Sequence, residues 1–189
     1  MLQLGFTAIS GLEIRQVARP YLQRLSDETN ETVSLGVLDE MEVIYVDRVR
    51  TSRMIVGVVL GMGSRIPAHC ASMGKVLLAY VPAPELKKII EGSHFEPCTP
   101  NSISDLESLD EELIGVREVG YSTNFEELES GLSAVAAPLW NHNQQVAAAI
   151  NISGSVRTIS AQRIEQELAP MVLETAANIS QSLGYGSVG

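Results

Sequence analysis

A chain of 189 residues fits one domain with a sizeable core, and its 45% apolar and 19% charged content exclude a disordered chain. No apolar run reaches the roughly 18 to 20 residues of a membrane helix, and two cysteines, Cys70 and Cys98, make no disulfide framework, so the expected compartment is the cytoplasm. The net charge of −10 gathers between Ser104 and Ser130, where nine acids face one base, Arg117, and no Lys/Arg cluster answers a nucleic-acid backbone.

Met1 to Ser10 has no basic region, apolar block or cleavage site, so no signal peptide is expected. Ser10-Gly-Leu-Glu13 has capping-box spacing and predicts a helix from about Gly11 to Ser26. Its apolar stripe is Leu12, Val17, Tyr21, Leu22 and Leu25, and Pro20 inside it should kink it or remove one hydrogen bond. Thr32 to Leu38 and Glu42 to Val49 are rich in β-branched residues and flank Asp39-Glu40-Met41, which predicts a hairpin. Met54 to Leu60 predicts a third strand, buried on both faces, ended by Gly61, Gly63 and Pro67. Short helices follow at Cys70 to Tyr80 and Glu85 to Glu91, parted by Pro82 and Pro84, then a loop from Gly92 to Ile103. Ser104-Asp-Leu-Glu107 is a second capping box, opening a helix to about Val119 that Gly120 ends. Strands at Leu132 to Trp140 and Gln145 to Ile152 are joined by Asn141-His-Asn-Gln144. A long amphipathic helix spans Ile159 to Leu183, Gly184 caps it, and residues 185–189 form a tail expected to be flexible. Hairpins imply an antiparallel sheet with the terminal helices over one face, an α+β arrangement, with residues 11–184 as the functional domain.

Three segments carry candidate chemistry. From Gly61 to Lys75 a glycine-broken loop runs into a helix beginning near His69 to Ala71, whose free N–H groups favour an anion, while Ser72 adds a hydroxyl and Gly74 lets the backbone approach closely. It is not a P-loop, because Lys75 is followed by Val76 rather than Ser or Thr. The second segment, Gly120 to Ala134, lies between the acidic helix and a strand. In the third, Asn151 and Ser153 share one face of an otherwise apolar strand and need partners, either backbone or a polar ligand. Cys70, beside His69 at a helix start, is a candidate nucleophile of a hydrolase. His69, Cys70, His94 and Cys98 are conceivable zinc ligands, although their spacing matches no familiar pattern. The acidic run reads most simply as a solvated helix face.

The text RIPAHCASMGKVLLAY, GYSTNFEELESGLSAVAAPLW and AAAINISG, in that order and spacing, resembles the effector-binding domain of IclR-type bacterial transcription regulators over about Leu2 to Leu183. SMGKVLLAY is most similar to regulators of aromatic-acid breakdown, the protocatechuate, 4-hydroxybenzoate and β-ketoadipate group. The resemblance implies a GAF-like fold, a curved antiparallel sheet flanked by helices, with an effector pocket on one face. It also implies a homodimer or homotetramer, and DNA contact only through an N-terminal winged helix-turn-helix that this sequence does not contain, residues 1–10 resembling the end of the interdomain linker that would join it. Carried over by position, the pocket is lined by Ser72, Met73, Gly74, Asn124, Leu132, Ala134, Asn151 and Ser153. Asn124 stands where some members have an acid, Ala134 where they have cysteine, and Asn151 where they have serine. Losing the acid favours an anionic effector, and the alanine leaves room for a bulkier one. The expected ligand is a small organic carboxylate, aromatic or dicarboxylic, with no cofactor, metal or catalytic residue. A purely structural oligomerisation module, with a filled interior, is the remaining alternative.

Overall fold

The computed structural model describes residues 2–51 and 60–186. Among these residues six strands form one antiparallel, curved sheet in the order β3-β2-β1-β6-β5-β4, the GAF-like α+β arrangement. Most of the strand expected from Met54 to Leu60 lies outside the described residues.

Helix α1 (Leu2–Thr29) starts well before the expected position. A capping box marks a start only where the preceding chain cannot be helical, and Thr7-Ala8-Ile9 needs no break there. The buried stripe is Ile14, Ala18, Leu22 and Leu25, at steps of four, four and three; Leu12, expected on it, is 57% exposed. The helix runs on through Pro20, so the proline removes a backbone donor without ending the element.

The hairpin of β1 (Thr32–Asp39) and β2 (Glu42–Val49) turns tightly at Glu40. Strand β3 (Arg65–Pro67) was not foreseen: at three residues it is too short to show alternation. It borders β2, with Arg65 paired to Asp39 and Glu42. A single 3-10 turn (Ala68–Cys70) leads into α2 (Ser72–Ala79), so the expected helix begins two residues later than Cys70. Helix α3 (Ala83–Ile90) is followed by the loop and by α4 (Leu106–Val119). The cap of α4 is Asp105, one residue past the expected Ser104: its carboxylate accepts from the Ser108 N–H at 2.8 Å and from the Ser108 hydroxyl. An ionised acceptor outcompetes the neighbouring hydroxyl. Gly120 ends α4 in the left-handed region, at φ 82°.

Strand β4 (Ser122–Phe125), also unforeseen, pairs with β5 (Leu132–Trp140), and β5 pairs with β6 (Val146–Ser155). The last helix consists of α5 (Ala161–Arg163), a π-type turn (Ile164–Leu168) and α6 (Ala169–Ser182). Tyr185, within the expected tail, rests against Trp140 with ring centroids 5.6 Å apart.

Two cores result. Helices α1 and α6 cover one sheet face over Leu22, Leu35, Ile150, Ile152 and Val172. Helices α2 and α4 cover the other over Val43, Met73, Leu78, Leu113 and Ala149.

Candidate functional site

Strand register sets which side chains meet under α2. Two transverse rows cross the sheet on that face. One runs Arg48, Ser34, Asn151, Ala136, Ser122 from β2 to β4; the next runs Thr32, Ser153, Ala134, Asn124. Opposed residues in register share a face, so these rows are mostly polar where an apolar core would be expected. A β-bulge on β2 places Arg48 there. Val46 has no partner on β1, since Leu35 opposes Asp47 while Gly36 opposes Tyr45. The extra residue reverses the alternation, sending Asp47 to the α1 face and Arg48 to the α2 face.

A cavity of about 30 Å³ lies between these rows and the start of α2. That is room for about two waters. Six of the expected residues line it: Ser72, Asn124, Leu132, Ala134, Asn151 and Ser153. Met73 and Gly74 do not. Met73 is fully buried and packs beside Gly36, and a side chain at Gly74 would collide with the Ala68 backbone. The close approach that Gly74 permits is to the backbone of the 3-10 turn.

Sequence reasoning missed Tyr45, Arg48, Leu128 and Glu129 in the lining. Arg48 is the consequential one. Strict alternation from Val43 and Tyr45 assigns it to the opposite face, and only the bulge brings it in. Its guanidinium lies 5.4 Å from the Tyr45 ring centroid, and one terminal nitrogen reaches the Leu60 carbonyl at 3.4 Å. Burial lowers its pKa from the ordinary arginine range and raises that of Tyr45.

Four buried polar atoms on this face lack a hydrogen-bond partner: Arg48 Nε, Ser34 Oγ, Ser72 Oγ and Asn151 Oδ1. Each such atom costs about 1–3 kcal/mol. Ser153 makes only a long bond, 3.5 Å, to the Thr32 carbonyl. Asn124, in contrast, is engaged: its amide donates to the Cys70 carbonyl and its oxygen accepts from the Glu127 N–H. It joins the turn before α2 to the loop after β4.

That loop is fastened by Lys75, which is 2% exposed. Its ammonium meets both Glu127 oxygens and Glu112, all at 2.9 Å. Burial raises the Glu127 pKa, and Lys75 opposes the rise. Part of the acidic run is thus turned inward as an ion-pair cluster. A wider groove between α4 and β4 carries Glu111 and Glu112, whose charge disfavours an anion. Among the described residues no group of three or more His, Cys, Asp or Glu side chains is placed to hold a metal, and no helix is long and apolar enough to cross a membrane.

The family profile described as "Bacterial transcriptional regulator IclR C-terminal" matches residues 6–181. The chain belongs to the IclR family. It is 32% identical over 188 residues to the HTH-type transcriptional regulator XynR of Escherichia coli (strain K12), covering 98% of this chain and 73% of that protein. It is 31% identical over 183 residues to the Pca regulon regulatory protein of Pseudomonas putida, covering 97% of this chain and 63% of the relative. Among solved structures, the inducer-binding domain of an Acinetobacter PobR double mutant, in complex with 3-hydroxybenzoic acid, superposes with a TM-score of 0.80. Its identity is 31%, covering 87% of this chain and 96% of that one. The chain is therefore an effector-binding domain of IclR-family transcriptional regulators, a regulatory module and not the Cys70 hydrolase that the residues alone left open.

Proposed function

We propose that this IclR domain senses a small organic acid, aromatic or dicarboxylic, in the cavity beneath α2. The observation that carries the reading is the half-buried Arg48 guanidinium, whose covered Nε is unpartnered, in one cavity lining with Ser72 and Asn151. A carboxylate accepts from Arg48, from the Ser72 hydroxyl and from the first N–H groups of α2, which have no intrahelical partners. Asn151 Oδ1 is an acceptor and calls for a donor on the ligand, such as a hydroxyl. Ala134 and Leu132 supply apolar wall.

At about 30 Å³ the cavity is smaller than any aromatic acid, so binding requires the wall to give way. The segment from Glu126 to Gly131 is the movable wall, because polar contacts to Lys75, Asn124 and the Thr99 and Ser102 hydroxyls hold it, with the half-buried Leu128 as its apolar anchor. Displacement there reaches α4 through Lys75 and Glu112. Within a longer cytoplasmic regulator, with residues 11–184 as the sensing unit, that movement would bias the pairing of subunits, a homodimer or homotetramer, and the spacing of DNA-binding modules attached before α1.

Thermal-shift measurements across benzoate, hydroxybenzoates and aliphatic dicarboxylates test the reading. A stabilising acid is expected, hydroxylated members acting more strongly than benzoate. Arg48→Met should weaken the effective acid by about thirtyfold or more, about 2 kcal/mol. A folded protein indifferent to every acid sinks the proposal.

A further inference from the structure

Cys70 and Cys98 are both free thiols, one fully buried in the 3-10 turn and the other exposed on the loop after α3. The fold holds that loop against the turn. The His69 ring meets Phe95 edge-on at 5.4 Å, and His69 Nε2 lies 3.2 Å from the Glu96 carbonyl oxygen. That bond leaves the other ring nitrogen for Cys70, to which His69 is hydrogen-bonded. The Cys98 thiol and the Cys98 backbone N–H also bond to the Cys70 sulfur. Burial, which pushes the Cys70 thiol up, is outweighed by these bonds from His69 and Cys98, and it comes down to about 7. Cys98, raised by burial and by the facing Cys70, is pushed up to about 12. The lowered value favours a thiolate at Cys70, and the raised one keeps the Cys98 thiol protonated.

We propose that Cys70 and Cys98 are a reversible oxidation site, in which hydrogen peroxide converts the pair to an intramolecular disulfide. The Cys70 thiolate attacks a peroxide oxygen; the O–O bond breaks, leaving Cys70 as a sulfenic acid and releasing hydroxide, which is protonated to water. The Cys98 sulfur then attacks the Cys70 sulfur. The S–S bond forms, the S–O bond breaks, and the departing oxygen leaves as a second water, taking the Cys98 proton. Two thiols and one peroxide give one disulfide and two waters, the thiols losing two electrons.

The site touches the acid-sensing cavity from two sides. The Cys70 carbonyl holds Asn124, and Thr99, next to Cys98, donates to the Glu126 and Glu127 carbonyls. Closing the disulfide shifts both supports of the movable wall, so oxidation alters the response to acid. This coupling rests on the proposed sensing function; the thiol chemistry does not.

The test treats the purified 189-residue chain with hydrogen peroxide. Thiol titration should fall from two to none, the mass should drop by two hydrogens, and peptide mapping should join Cys70 to Cys98, all reversed by dithiothreitol. In Cys98→Ser, dimedone should trap a sulfenic acid on Cys70. In Cys70→Ser, Cys98 should react about tenfold slower or less. Two surviving thiols, a link only between chains, or a Cys70→Ser variant as reactive as the parent overturns the oxidation site. Equal acid-induced shifts in reduced and oxidised protein overturn the coupling alone.

Discussion

The two faces of the sheet are filled by different rules. Under α1 and α6 the contacts are mostly apolar, and the charges that enter are paired: Asp47 with Arg15 at 3.3 Å and Arg19 at 2.7 Å, and Glu31 with Arg163 at 2.8 Å. Under α2 the sheet presents Arg48, Ser34 and Asn151 in one row, with polar atoms left unsatisfied around a small cavity. A folded chain tolerates only a few such groups. Four of the six found among the described residues lie on this face, in keeping with the proposed recognition there, while the opposite, mostly apolar face supplies stability.

Mutations that treat the two faces alike should therefore give opposite results. The largest effect is expected on the dry side: Leu22→Ala, at a fully buried position, should cost about 3 kcal/mol in denaturant unfolding. Ser34→Ala, equally buried on the cavity side, should stabilise by about 1 kcal/mol, since it deletes an unpartnered hydroxyl without adding volume. A loss there as large as that at Leu22 would erase the distinction. The smallest effect concerns Glu127. Its folded pKa is raised above the ordinary 4.5 by burial, so the folded state holds the proton more tightly than the unfolded one. Its contribution is then fully present below 4.5 and lost as pH rises through the raised value. Stability curves taken upward from pH 4.5 should fall less steeply in Glu127→Gln than in the parent.

The same contrast explains what could be read in advance. Regular elements announced themselves: β2 was placed from Glu42 to Val49 by its β-branched residues, β5 from Leu132 to Trp140, and the end of α4 by Gly120. Elements defined only by their neighbours did not. The four residues of β4 and the three of β3 exist because longer strands offer them an edge, and nothing local in Ser122 to Phe125 reports that. In the cavity, the side chains of Asn151 and Ser153 were legible as a pair because β6 alternates regularly between them. Arg48 was hidden because its orientation depends on pairing with β1, and Met73 lies outside the lining because the first turn of a helix points successive side chains in different directions. The residue resemblance supplied Asn124 and Ala134, which no period in the sequence singles out.

The unpaired Val46 has a consequence larger than its size. Asp47 and Arg48 are adjacent and opposite in charge, so hydrogen-bond register alone decides which of them the cavity meets. Were β2 to straighten while keeping every residue, the carboxylate would take the wall and the guanidinium would be driven against the aliphatic layer. The proposed host for anions would become a host for cations through a polarity inversion that requires no change of composition.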